Sequence, residues 1–302
     1  MSIARTLLAA LAVAFLAACA STPAPNDIAG AAPALFVARD ADSTMYLYGT
    51  IHLRRAGDPW GGPHVEAALV QSEEIWTEVD LDPAAQARAQ TEAMRHGMSP
   101  DTPLSTHLNE EDRQRLAALS QRFGIPIQAL DRMHPWMAAL TLSVMPMMQA
   151  GYDPQAGVDR AIVAWAGEHQ KTLRSFETPE QQIGFFANWD EETQIAWLRQ
   201  SLEGAEEGVA LVNGISAAWD RGDTAALEAQ IVTETRTTYP DLYQLFFVGR
   251  NNAWMEVLSQ ELDGAGVDFV AVGSGHLYGP DGLIAQLRAR GVRVERVQQA
   301  RE

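Results

Sequence analysis

The sequence predicts an α/β fold: a mixed central sheet flanked by helices, with a large, mainly helical insertion between sheet motifs at its two ends. Three observations carry this expectation. Short apolar runs bounded by turn residues lie near both ends of the chain, while from about residue 83 to 260 the pattern is chiefly helical. Two Gly-x-x-His tetrads, Gly49-Thr50-Ile51-His52 and Gly273-Ser274-Gly275-His276, each directly follow an apolar, strand-like run. A buried strand ending in glycine brings backbone close to a ligand and delivers the next side chain to the sheet edge, where open α/β sites form. Two such histidines can meet at one centre.

The elements follow in order. Met1 to Ala18 has a basic start at Arg5 and an apolar stretch from Leu7 to Ala18, too short to span a bilayer, and reads as a signal peptide. It ends in Leu16-Ala17-Ala18-Cys19, which resembles a bacterial lipobox, and Cys19 is the only cysteine in the chain. Acylation of Cys19 would anchor the protein to a membrane, and Ala20 in place of aspartate resembles the class sorted to the outer membrane, facing the periplasm. A simple cleaved signal with a stray cysteine is the alternative. Residues 19–34 then form the lipidated cysteine and a flexible Ala/Pro/Ser/Asn-rich tether, and 35–302 form one domain. Within it, Leu35 to Arg39 and Met45 to Gly49 read as a hairpin, followed by a Gly/Pro-rich loop, a helix from His64 to Ser72 and a strand from Glu74 to Leu81. Helices occupy Pro83 to about Glu168, Lys171 to Phe176 can form a strand, and helices resume from Pro179 to Gln260. Strand Val267 to Val272, helix Asp281 to Arg290 and strand Val292 to Val297 close the chain.

Composition narrows the function. Of 302 residues, 47% are hydrophobic, enough for a packed globule, and the net charge of −17 argues against nucleic acid, which needs clustered Lys and Arg. With one cysteine, at position 19, the mature domain has no disulfide and no cysteine nucleophile. There is no His-Glu-x-x-His helix and no Gly-x-Ser-x-Gly elbow, so Ser274 reads as a small residue permitting close packing.

Alternation in Glu74-Ile75-Trp76-Thr77-Glu78-Val79-Asp80-Leu81 sets Trp76, Glu78 and Asp80 on one strand face, so Glu78 lies within an otherwise apolar element. A carboxylate there must be paired or bind a cation, unless it sits at an exposed strand end; a structural ion pair with Arg250 is one alternative. Arg250 and Asn251 open or interrupt an aromatic helix, where a guanidinium beside an amide suits carboxylate or oxyanion recognition. A capping Asn and a surface Arg would be the plainer outcome. His64 could line the mouth of a site, His96, His107 and His169 fall in polar helix-end contexts, and His134 packs or caps. The Trp and Met density from Trp136 to Met148 is expected in the core.

Taken in order, Tyr46-Leu47-Tyr48-Gly49-Thr50-Ile51-His52, Glu78-Val79-Asp80-Leu81, Pro135-Trp136, Gly157-Val158-Asp159, Glu177-Thr178-Pro179-Glu180-Gln181, Arg250-Asn251-Asn252-Ala253-Trp254 and Val272-Gly273-Ser274-Gly275-His276-Leu277 resemble the TraB/PrgY/GumN family. The resemblance spans Leu35 to Val297. That family is related to the Tiki proteins, regarded as metal-dependent proteases acting on secreted signals, and more distantly to erythromycin-esterase-like and ChaN-like proteins. The resemblance implies an α/β core in which His52, His276 and Glu78 face one another, with Arg250 as the family's arginine.

Two imidazoles and a carboxylate leave open positions on a divalent cation, as hydrolysis requires, though the same ligand count describes iron oxygenase sites. The expectation is a metal-dependent hydrolase of the cell envelope, a peptidase acting on a peptide or secreted protein, with manganese, cobalt or zinc held by His52 and His276. Glu78 is a third ligand or the base, Arg250 steadies the oxyanion or the carboxylate, and Asn251 contacts substrate. The alternative is a non-catalytic envelope lipoprotein binding a peptide or a haem-like ligand.

Overall fold

A computed structural model describes residues 32–204 and 207–298. The signal segment and Cys19 lie outside the described residues, as does the tether up to residue 31. At the end of the expected tether, Ala32 donates its N–H to Asp220 O at 3.0 Å and Ala34 is buried, so the folded body already includes these residues.

Among the described residues eight strands form: β1 (Leu35–Arg39), β2 (Ser43–Thr50), β3 (Arg54–Arg55), β4 (Glu74–Val79), β5 (Tyr152–Asp153), β6 (Thr172–Glu177), β7 (Gly266–Gly273) and β8 (Arg293–Arg296). Six of them make one mixed sheet in the order β6-β4-β7-β2-β1-β8, and β3 pairs with β5 in a separate ribbon. The hairpin β1–β2 is antiparallel, with Leu35 opposite Tyr48, and its turn is fixed by Asp40 Oδ1, which accepts from the N–H groups of Asp42 and Ser43. On the other side, β2 runs parallel to β7, β7 to β4, and β4 to β6. Consecutive residues of β2, β4 and the second half of β7 are buried; since neighbours point to opposite faces, both faces of these strands are covered.

Helices supply that cover, and their ends carry the expected signals. Pro63–Gln71 and Pro83–Gly97 each begin with proline at the first position, and Asp82 caps the second by accepting from Ala85 N–H. The Met-rich helix Pro135–Gln149 is core, with Trp136, Met137 and Met147 buried. Thr178 and Gln181 form a capping box for Pro179–Ala187. The sequence motif at 177–181 is therefore a strand end, a cap and a helix start in succession. No helix among the described residues is long and apolar enough to cross a membrane.

The observed boundaries differ from the sequence expectation in three places that matter. Strand β4 ends at Val79 rather than Leu81, β6 runs to Glu177 rather than Phe176, and His276 sits on a short helical turn, Ser274–Leu277. The 83–260 insertion also contributes β5 and β6, so it supplies an edge strand of the sheet as well as its helices.

At the N-terminal end of the parallel strands, Glu74 pairs in register with Asp268, and Glu261 brings a third carboxylate, all within 4.8 Å. Arg174 neutralises Glu74 through contacts of 2.9–3.2 Å. Half-burial, then Glu261, Glu74 and Glu73, push the Asp268 carboxyl up to about 6. A carboxyl whose folded value exceeds its unfolded one, about 3.9, favours the fold below pH 4 and loses that contribution as pH rises toward 6. Asp268→Asn is therefore expected to raise stability above pH 6, by about 1 kcal/mol after screening, and to change nothing near pH 3. Urea unfolding at both pH values checks this.

Candidate metal-binding and hydrolytic centre

The site forms where the parallel strands end. Because Thr50 pairs with Gly273 across β2 and β7, the two tetrads leave the sheet side by side. Glu78 arrives near the end of β4 and Glu177 at the end of β6, so four parallel strands deliver their chemistry to one edge. Close approach depends on missing side chains. A Cβ on Gly49 would lie 2.8 Å from Ser274 Oγ, and Ser274 itself donates to Thr50 O at 3.0 Å, fastening one tetrad to the other. A Cβ on Gly157 would lie 2.7 Å from both Asp159 Oδ1 and His52 O, so glycine lets the start of helix Val158–Glu168 dock on the His52 loop.

Arg250 enters from the helix Gly249–Asp263, directly after a π-helical turn, Gln244–Val248. Its guanidinium donates from Nη2 to Glu78 Oε2 at 2.6 Å and to Glu177 Oε2 at 2.8 Å, from Nε to Glu177 Oε1 at 2.7 Å, and from Nη1 to His276 Nε2 at 3.1 Å. Phe185 and Trp254 flank it, with ring centroids 5.3 and 4.7 Å from Cζ. Arg250 is only 7% exposed, so the surface-arginine alternative does not hold, and the anticipated Glu78–Arg250 ion pair is present. Asn251 is buried more deeply still, and its side-chain amide donates to His276 O and Asp281 O.

Each histidine has a side-chain oxygen near Nδ1, but only one is hydrogen-bonded there. His276 Nδ1 donates to Asn251 Oδ1 at 2.7 Å, which leaves its Nε2 lone pair to face Arg250. His52 Nδ1 lies 3.3 Å from Asp159 Oδ1, a close charge contact without the alignment of a straight hydrogen bond. Both Nε2 atoms then converge on the same carboxylate oxygen, Glu78 Oε1, at 4.0 Å from His52 and 3.8 Å from His276. An oxygen at each Nδ1 with Nε2 turned inward is how metal-ligating histidines are oriented.

The electrostatics follow from this geometry. Burial alone would raise the Glu78 carboxyl, but Arg250, the two imidazoles and the Gly273 N–H, which donates to Oε1 at 2.6 Å, hold it far below the ordinary range. Burial drives His276 down to about 3, so this imidazole is neutral. His52 is raised, because Asp159 overcomes the effect of burial.

Does this arrangement suit a divalent cation? The donor types do: two imidazole nitrogens and a carboxylate oxygen. So does the charge, since Glu78, Glu177 and Asp159 oppose a single guanidinium. There is also a cradle. A Cβ on Gly273 would lie 2.9 Å from Glu78 Oε1, 3.4 Å from His52 Nε2 and 3.7 Å from His276 Cδ2, so glycine leaves open the space between the three donors. The spacing is open: the three are not gathered within the 4.8 Å that the Glu74, Glu261 and Asp268 oxygens share. Seating an ion would draw the donors in and free His276 Nε2 from Arg250.

Comparison with known proteins places the chain. The profile of the TraB/PrgY/gumN family matches residues 34–296. The chain belongs to that family. It is 26% identical over 185 residues to the uncharacterized protein YbaP of Escherichia coli K12, covering 61% of this chain and 68% of that protein. The YbaP protein of Shigella flexneri gives the same figures. No solved structure gives a significant match.

Glu177 and Asp159 also border the centre; the sequence pattern assigned neither a role, although both lie in the quoted family motifs. Glu177 binds Arg250, Trp254 Nε1 at 3.0 Å and Gln182 Nε2 at 2.9 Å. The other histidines lie apart from the centre. His64 contacts Pro33 O, His96 pairs with Glu92, His107 with Glu191, His169 stacks on Trp165, and His134 precedes the helix at 135.

Proposed function

We propose that this protein is a metal-dependent hydrolase acting on peptide bonds, held at the bacterial cell envelope through acylated Cys19, on the outer membrane facing the periplasm. The observation that carries the reading is the convergence of His52 Nε2 and His276 Nε2 on Glu78 Oε1, with each ring oriented by an oxygen at Nδ1. His52, His276 and Glu78 would hold the cation, manganese, cobalt or zinc. When bound, a cation of this kind supplies Lewis acidity and an activated water.

This chain's own groups do the rest. Asn251 fixes the His276 ring by a hydrogen bond, and Asp159 draws His52 Nδ1 by charge. A carboxyl held as low as that of Glu78 is a weak base, which favours its role as a ligand over the base role left open by the sequence. Arg250 gives four of its five N–H donors to Glu78, Glu177 and His276 among the described residues. The remaining Nη1 donor would serve the developing oxyanion of a substrate carbonyl. Asn251, assigned to substrate by the sequence, is used instead to hold His276. Beside the centre opens a cleft lined by Glu78, Asp159 and Arg250 and by Phe185, Phe186 and Phe246. Its mixed polar and aromatic wall suits an extended peptide.

Turnover of a peptide library by protein loaded with manganese, cobalt or zinc, and by chelated protein, tests the proposal. Cleavage only with metal is expected. Cleavage by none of the loaded forms would leave the second reading, a binder of peptides or of a haem-like ligand.

A further inference from the structure

A second recess lies against the other side of His52. It shares Thr50 and His52 with the catalytic cleft, is partly open to solvent and is walled by Leu53, Val212, Ile215 and Ile231. Val212 and Ile215 come from the helix Glu207–Asp220, and Ile231 from the π-helical segment Glu228–Thr233, so both elements wrap an aliphatic wall around the first tetrad. No acidic side chain and no Lys or Arg lines it. Thr50, common to both spaces and 1% exposed, has a buried hydroxyl oxygen with no hydrogen-bond partner. Such an atom costs stability unless a ligand completes it.

We infer that this recess takes an apolar, aliphatic side chain of the peptide next to the scissile bond, while Thr50 Oγ1 hydrogen-bonds the substrate main chain crossing from one space to the other. The inference rests on the peptide-hydrolase reading and names the substrate class for it. A charged side chain is excluded because it would be buried there without a partner. A glycine at that position would leave the aliphatic wall uncovered. Differences of one or two carbons in such a pocket change selection by tenfold or more.

The test uses N-acetyl-L-leucinamide and N-acetylglycinamide as probes of the folded domain, followed by methyl NMR. The leucine probe is expected to bind at least about tenfold more tightly and to move the methyl signals of Val212, Ile215 and Ile231. Val212→Phe, which fills the recess, should remove that preference. Ile231→Ala, which enlarges it, should shift preference toward N-acetyl-L-phenylalaninamide, and it serves where Val212→Phe does not fold. Thr50→Val should weaken both probes alike. Equal affinity for the two probes, or a preference unchanged in both pocket variants, would overturn the inference. Library turnover separates the two levels. Cleavage without aliphatic selection removes the pocket and keeps the hydrolase, whereas selective leucinamide binding without cleavage keeps the pocket and removes the hydrolase.

Discussion

Arg250→Met is expected to cost about 3–5 kcal/mol of stability at neutral pH, the scale for removing one partner of a buried ion pair. The side chain keeps much of its length, but Glu78 and Glu177 would be left buried with their shared cation gone. The pH dependence identifies the cause. In the native protein Glu78 is depressed, so its contribution is present above the unfolded value, about 4.3, and is lost as pH falls below it. In the variant the Glu78 carboxyl, still buried but without Arg250, would be raised, so it penalises the fold at neutral pH and ceases to do so as it takes up a proton. The gap between the two proteins should therefore close on acidification. Denaturant unfolding in chelator, from pH 7 down to pH 4, measures it. A loss below about 1 kcal/mol at pH 7, the level of a solvated surface pair, would contradict the burial of this network.

Glu78→Gln is expected to lower peptide turnover by roughly 10² or more and to weaken metal binding with it. The geometry explains why an isosteric amide fails. Glu78 accepts at both ends, from Gly273 N–H at Oε1 and from Arg250 at Oε2. A glutamine has one oxygen, so one donor must then meet an NH2 group, and the atom between the imidazoles becomes a poorer ligand or none. Parallel loss of affinity and rate marks a ligand. Full metal affinity with the same loss of rate would make Glu78 the base.

Much of this centre was legible in the sequence, and the limits have physical causes. The tetrads announced themselves because glycine after an apolar strand is a local signal, and period-two alternation exposed Glu78 as a charge among apolar neighbours. That β2 and β7 are adjacent, parallel and paired at Thr50 and Gly273 is tertiary information that neither strand carries alone. Asp159 looks like an ordinary first-turn acid of a helix, and Glu177 like the polar residue before a capping threonine. Their partners lie far off in sequence, Arg250 being 73 residues from Glu177, so only the folded chain gives them roles. Asn251 is a different case: the sequence set it against substrate, whereas the fold shows its amide bonded to His276 and Asp281, contacts that no local pattern announces.

Calorimetric titration of the folded domain with manganese, cobalt and zinc, beside His52→Ala and His276→Ala, tests the central claim most directly. One ion per chain is expected for the native protein, with most of the affinity lost in either variant, because removing one of three donors from an open site leaves too few. Equal binding by all three proteins, or no binding by the native one, would contradict it.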